Sequence, residues 1–273
     1  MHTKKLSESN ALIVGLARNC EKGLQNTLPR LNKFKNTFKN VDFRIVTNDS
    51  TDNTENVLSN WSFQENNIKV IQHNNLEINA TKRTARIAIC RNIYLEELRQ
   101  LKIDKKIDYL LVLDLDGLNS TLVDDPIFTK LIEYAPSNWG GIFANTRGNY
   151  YDIWALRHDT WCPNDCFIES KNYRRNLINI IKNGGIRKND KKAFKKFITD
   201  RQKKISPSNK IISVESAFNG FGIYKTKYLE NASYVGLDSN GREICEHVHF
   251  NQCVRDNGGK LYIIPKLLND PHW

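Results

Sequence analysis

The sequence lacks the features that mark several large classes of protein. Its 273 residues contain no uninterrupted apolar run approaching the roughly 20 residues that a membrane-spanning helix needs. The run nearest the N-terminus, ALIVGLA (11–17), is only strand-length, and the MHTKKLSESN before it is polar and without a small-residue cleavage signal. Cysteines are few and scattered. Only Cys162 and Cys166 lie close together, with His158 upstream, whereas a zinc site draws on paired clusters of ligands. Without a secretory signal a disulfide framework is not expected, so the cysteines read as buried or free thiols. There is no helix-turn-helix, zinc-finger or RNP-type aromatic motif, which argues against nucleic acid as a partner. Internal repeats are absent, and Ser206-Pro207-Ser208-Asn209 is the one linker-like stretch. The expectation is a soluble, cytoplasmic chain, with peripheral contact at a membrane surface left open.

What is present is enough for a packed core. Hydrophobic residues make up 40% of the chain, including 12 Phe, 10 Tyr and 5 Trp. That suits one α/β domain over residues 1–273, in two halves at 10–117 and 118–273. The net charge of +11 is concentrated in one place: residues 171–204 hold thirteen Lys and Arg against Asp190 and Asp200, which accounts for the whole excess. Leu177, Ile178, Ile180, Ile181, Ile186, Phe194, Phe197 and Ile198 recur within this window. The pattern predicts two basic amphipathic helices around Asn183-Gly184-Gly185. Such an insertion suits an anionic membrane, an acidic acceptor or nucleic acid, and equally a merely solvated surface.

The first half alternates apolar strands with helical patterns. Strands are expected at 11–17, 42–48, 68–72 and 107–117, with helices from 21 to 38, after the turn at 49–52, and from 81 to 101. This β-α-β-α-β-α-β order builds a parallel sheet, in which ligands sit beyond the carboxyl ends of the strands. Ala17, Arg18, Asn19, Asn48, Asp49, Asp114 and Asp116 should gather at that edge. In the second half, 140–148 and 150–157 read as strands of a hairpin, 211–214, 217–225 and 260–265 as further strands, and 242–255 as a helix.

The sharpest chemical signal is LVLDLDG, in which Asp114 and Asp116 end an apolar strand. Two carboxylates there repel one another and lose solvation, so a cation would stabilise them; hard oxygen donors suit Mg²⁺ or Mn²⁺ held together with a diphosphate. The plainer alternative is that Asp114 ends the strand and Asp116 makes the turn before Gly117. Arg83 and Arg86 could add positive charge beside a phosphate or simply form surface ion pairs. Tyr151 and Trp154 flank Asp152 and could stack on a sugar ring or pack in the core. His247 and His249 follow Glu246 but diverge on a helix.

On these residues the chain resembles the GT-A glycosyltransferases. Asp114-Leu115-Asp116 matches their Asp-x-Asp motif, whose role is to hold the metal and the ribose of the nucleotide. The turn NDSTDNT (48–54) is similar to the D-D-G-S-T-D-x-T segment of family 2 enzymes, with Asn48 in first position and no glycine. A closer resemblance is to the fungal capsule-associated α-1,3-mannosyltransferases. It runs through RTARIAICRN (83–92), YYDIWALRHD (150–159), SAFNGFGIY (216–224) and CEHVHFNQCVRDNGGKLYIIP, although those proteins carry Asn-Asp where this chain has Asp-Leu-Asp.

The resemblance implies a mixed Rossmann-like α/β sheet flanked by helices. It also implies a Mn²⁺ or Mg²⁺ ion, a GDP- or UDP-sugar donor, mannose among the sugars, and a glycan or glycolipid acceptor. Asn219 and Gly220 would face the donor, Glu246 would act on the acceptor hydroxyl, and His272 would complete the metal sphere. The rival classes are a nucleic-acid-binding protein acting through 171–204 and a sugar nucleotidyltransferase. The second is disfavoured because ALIVGLARNCEKG lacks a glycine-rich, lysine-containing loop.

Overall fold

A computed structural model describes residues 5–122 and 126–270 of the chain. In order, the elements are β1 (Asn10–Ala17), α1 (Glu21–Lys33), β2 (Asn40–Thr47), α2 (Thr54–Ser62), β3 (Ile68–Gln72), α3 (Leu76–Asn79), α4 (Arg83–Asp104) and β4 (Tyr109–Asp114). They continue with α5 (Ile127–Glu133), β5 (Trp139–Thr146), α6 (Cys166–Arg175), α7 (Leu177–Lys182), α8 (Ile186–Phe197), β6 (Ile212–Val214), β7 (Phe221–Lys225), α9 (Glu246–Asp256) and β8 (Lys260–Asn269). Among the described residues the strands form one eight-stranded sheet in the order β3-β2-β1-β4-β7-β5-β8-β6.

The first four strands are parallel, as expected, and their apolar runs explain their central position. Every residue from Ala11 to Val14 and from Leu110 to Leu113 is buried, because helices cover both faces of the sheet. One face packs Leu12, Val14, Leu110 and Val112 against Cys90, Tyr94, Leu95 and Leu98 of α4 and Phe250 of α9. The other packs Ile13, Phe43, Leu111 and Ile223 against Leu24 and Leu28 of α1, Leu58 and Trp61 of α2, and Phe128 of α5. β7 then enters antiparallel between β4 and β5, and β6 pairs antiparallel with β8. The sheet is therefore mixed, and the expected architecture of an α/β sheet flanked by helices is found.

Four local expectations need correction. Residues 150–157 do not form a hairpin strand. Their backbone is pinned by other partners: Tyr150 donates to the carbonyl of Lys203, Ala155 donates to the Asp152 carboxylate, and only Arg157 forms an isolated bridge, to Ser216. The strand predicted over 217–225 begins only at Phe221, because Asn219 (φ 56°) and Gly220 (φ 80°) take left-handed conformations that break the pairing. The helix predicted from 242 starts at Glu246; before it, the Asp238 carboxylate accepts the amides of Asn240 and Arg242 and closes a turn. The basic window forms parts of three helices rather than two. Asn176 adopts an extended backbone that ends α6, and its side chain accepts the amide of Asn179 to start α7.

Candidate active site

A cleft of about 450 Å³ opens at the carboxyl ends of β1, β2 and β4, where a parallel sheet offers unpaired backbone and short turns to a ligand. Leu16, Ala17 and Arg18 line it from β1, Asn48 from β2, Asp114 to Asp116 from β4, and Arg83, Arg86 and Arg91 from α4. Tyr151, Asp152, Trp154, Phe218, Glu246 and His247 close the other side. The cleft is thus electrostatically divided. Arg18 and Arg86 come together at Glu77, at 2.5 and 3.8 Å, and the carboxylates of Asp116, Asp152 and Glu246 gather around Asp114.

The backbone around Asp114 and Asp116 is closely held. A Cβ on Gly23 of α1 would meet the backbone of Asp116 at 2.4 Å, so only glycine allows that helix to approach the turn. The Gly220 carbonyl accepts from the amide of Asp114 at 2.9 Å and from the Asn119 amide group at 2.8 Å. Asn219 is fully buried; it donates its amide to Asp152 at 3.0 Å and its carbonyl accepts from Asn269 at 2.6 Å. Asn219 and Gly220 therefore brace the cleft from behind and lie outside its lining.

Asn19 and Asp49 also lie outside the lining. The Asn19 side chain accepts from the amide of Thr51 at 2.7 Å and joins the turns after β1 and β2. The Asp49 carboxylate accepts three amides, those of Asn75, Leu76 and Glu77, at 2.6 to 3.3 Å. Desolvation opposes its ionisation, but those amides and Asn48 hold its carboxyl below the usual range. Asp52 accepts the amides of Thr54 and Glu21, a helix-start role.

Two residues given no role from the sequence dominate the acidic side. Arg91 is buried, with Nε donating to Glu246 at 3.1 Å, Nη1 donating to the Tyr94 hydroxyl at 3.1 Å, and Nη2 lying 3.8 Å from Asp114. Its guanidinium also lies over the rings of Phe218 and Tyr234. Burial works against its charge, but Tyr94, Glu246, Tyr234 and Asp114 outweigh that and hold it protonated. The second residue is Asp152, whose carboxyl is raised first by burial, against the amides of Asn219 and Ala155, with Glu246 adding to the rise. A signal for Arg91 was available: it sits on the stripe with Ile87, Tyr94, Leu95 and Leu98, where a charge must find a partner.

Asp114 shows what this crowding does. Its carboxyl is pushed up to about 7, chiefly by burial; Arg91 opposes the rise, and Asp116, Asp152 and Glu246 reinforce it. Asp116 is exposed, and one of its oxygens accepts the Leu118 amide at a long 3.4 Å. Among the described residues no three His, Cys, Asp or Glu side chains group as a metal site. His272, expected to complete such a site, lies outside the described residues. Asp270 is tied to the turn after Asp116: its amide donates to the Leu118 carbonyl, and its carboxylate accepts from Ser120 and Thr121.

The remaining predicted groups take mixed roles. Arg86 donates to the carbonyls of Ala80 and Thr81, and Arg18 pairs with Glu77. Trp154 donates its indole N–H to Asp165 while lining the cleft. His247 stacks on Phe218 at 3.7 Å; burial, then Arg91, lowers its pKa well below the usual value, and neither ring nitrogen has a hydrogen-bond partner. Cys20 and Cys90 are both raised to about 11 mainly by burial, which disfavours thiolate chemistry here.

No protein-family model matches the chain, and no curated protein matches it. Solved structures do. A mannosyltransferase from Pyrobaculum calidifontis, in complex with GDP-Man and Mn²⁺, aligns over 97% of this chain and 57% of its own, with a TM-score of 0.53 and 11% identity. S. aureus TarS 1–349 in complex with UDP aligns over 96% of this chain and 60% of its own, with a TM-score of 0.50 and 14% identity. The same protein with UDP-GlcNAc aligns over 97% and 59%, with a TM-score of 0.50 and 12% identity. This chain spans less than two thirds of the length of these structures. The likeness establishes the fold, which is of the GT-A type.

Proposed function

We propose that this chain is a glycosyltransferase that moves a hexosyl group from a nucleoside-diphosphate sugar to a hydroxyl of a glycan or lipid-linked acceptor. The observation that carries the reading is the divided cleft: arginines and a carboxylate cluster line it together at the carboxyl edge of a GT-A sheet. The ligands named for the aligned structures, GDP-Man with Mn²⁺, UDP and UDP-GlcNAc, support a sugar nucleotide as donor. Mannose from GDP-mannose is the donor that the sequence resemblance favours. In this reading a single domain does the work, residues 10–117 binding the nucleotide and 118–273 binding the acceptor.

The residues present fit a divalent cation. Asp114 and Asp116 offer hard oxygen donors, and ionised Asp114 stands among like charges that a cation would offset. Asp114 and Asp116 would hold Mn²⁺ or Mg²⁺, with His272 as a further ligand. When bound, the ion acts as a Lewis acid that stabilises negative charge on the departing diphosphate.

The chain's own residues supply the rest. Arg18, Arg83 and Arg86 attract and orient the diphosphate, and Asn48 contacts the nucleoside between β1 and β2. Tyr151 and Trp154 offer aromatic faces to the sugar ring. Arg91 holds Glu246 in place, and Glu246 orients the acceptor hydroxyl and accepts its proton. The hydroxyl oxygen then bonds to the anomeric carbon, while the bond from that carbon to the diphosphate oxygen breaks and its electron pair leaves with the diphosphate.

Thermal unfolding with GDP, UDP or CDP, each with Mn²⁺ or with EDTA, tests the reading. One nucleotide should raise the melting temperature only with the ion. Asp116→Ala should abolish that shift and leave the melting temperature of the free protein unchanged, because Asp116 is exposed. A variant that still binds nucleotide with Mn²⁺ dependence would remove the proposed centre.

A further inference from the structure

The helices α6 to α8 separate their apolar residues into two sets. Ala193, Phe197 and Ile198 are buried, with Phe197 packing against Tyr173 of α6 at 5.6 Å between ring centroids. Leu177, Ile178, Ile181 and Ile186 are instead exposed, at 73%, 61%, 78% and 66%. Helix α7 has no buried residue at all. Four large aliphatic side chains thus stand in water within ten residues of sequence, at the tip of the insertion. Scattered exposed leucines are ordinary, but a local aliphatic group ringed by charge marks an interaction surface.

The tip is firmly built. Asn176 caps α7, Asn183 donates to the side chain of Asn189 at 2.8 Å, and buried Asn189 donates to the Arg174 carbonyl at 3.0 Å. Around the aliphatic group stand Arg174, Arg175, Lys182, Arg187 and Lys188, all exposed. The acids nearby are few: Asp200 pairs with Lys195, Glu169 pairs with Arg201, and Asp190 of α8 is half-buried.

We propose that this tip docks the protein on an anionic membrane, with Leu177, Ile178, Ile181 and Ile186 entering the headgroup region and the surrounding cations meeting lipid phosphates. Exposed aliphatic residues within a basic rim are the combination that interfacial helices use. A second copy of the chain fits less well, because two such faces repel each other. Nucleic acid fits less well too: single strands stack on aromatic platforms, and Phe194 of α8 is one exposed aromatic beside four aliphatic side chains. The insertion also grows out of the cleft wall. Asp165 caps α6 and accepts the Trp154 indole N–H at 2.8 Å, and Phe167 of α6 packs edge-on to Trp154 at 5.4 Å. A membrane bound at α7 would thereby serve a cleft whose wall is continuous with the docking helices, as a lipid-linked acceptor requires.

Co-sedimentation of the full chain with phosphatidylcholine vesicles, with and without phosphatidylglycerol, tests this. Binding should require the anionic lipid and weaken as salt rises. The double variant Leu177→Asp/Ile181→Asp should lose at least roughly tenfold in vesicle affinity, with thermal unfolding and any Mn²⁺-dependent nucleotide shift unchanged. That second readout separates failure of docking from failure of the proposed activity. Equal binding to neutral and anionic vesicles, or none to either, overturns the proposal. So does RNA binding without vesicle binding, or a dimer that the same double variant dissolves.

Discussion

At the carboxyl edge of the sheet, Asp114, Asp116, Asp152 and Glu246 line one cleft with a single buried arginine among them. In residues 171–204, twelve of thirteen cations are exposed, Arg201 being drawn inward by Glu169, with two acids for company. Both regions are strongly charged, yet they obey different physics. In the first, desolvation makes Asp114 and Asp152 depend on their neighbours, and it surfaces as their raised carboxyls. In the second, water and salt screen the charges, so they cost little and act collectively at a distance. A cluster partly withdrawn from water selects for geometry, whereas an exposed one selects for sign.

Three experiments sharpen that contrast. The largest effect is expected from Arg91→Leu, which leaves Glu246 and Asp114 without their buried counter-ion. Removing one partner of a buried pair should cost about 3–5 kcal/mol, measurable by chemical denaturation. An unchanged denaturation midpoint would mean that the carboxylates do not depend on the arginine.

The next effect is on pH dependence. Asp114 has its carboxyl near 7 in the folded protein against an ordinary 3.8, so the folded state holds its proton more tightly than the unfolded chain. Below about 3.8 both states are protonated; as pH rises from there to about 7, this residue lowers the stability of the ion-free protein. Asp114→Asn should flatten that part of the pH–stability curve. In the wild type, Mn²⁺ should bind more tightly as pH rises through about 7, because ligation needs the ionised carboxylate. A stability curve identical in wild type and Asn variant would show that Asp114 is not perturbed.

The smallest effect belongs to the insertion. Lys188→Glu/Lys191→Glu, at exposed positions of α8, should leave unfolding within about 0.5 kcal/mol of wild type. The same change should weaken binding to phosphatidylglycerol vesicles most at low salt. A large loss of stability would mean that these lysines support the fold and do not simply face solvent.

Much of this molecule was legible from patterns that need only neighbours in sequence. The runs at 11–17 and 109–113 are apolar without alternation, which suits strands covered on both faces, and β1 and β4 occupy them, while the mixed run at 68–72 forms the edge strand β3. Asp114 and Asp116 announce themselves by ending such a run. The segment 150–157 misled because its aromatic and β-branched residues imitate a strand, while its hydrogen bonds go to the Asp152 side chain and to Lys203. Asn219-Gly220 and Asp49 were expected to meet the donor because their turns resemble glycosyltransferase segments. The Gly220 carbonyl instead accepts the Asp114 amide of β4, the Asn219 carbonyl accepts the Asn269 side chain of β8, and the Asp49 carboxylate accepts the amides of residues 75–77.

The sequence by itself determined the parallel half of the sheet, the carboxylates at the end of β4 and the charge of the insertion, since periodicity and composition act through adjacent residues. Only the tertiary structure decided that Arg91 joins Glu246 across 155 residues of chain, that Asp152 enters the cleft, and that α7 turns its aliphatic side chains to water. Those outcomes rest on which surfaces are buried against which. Burial sets the strength of every charge in the cleft, and it is a property of the folded whole.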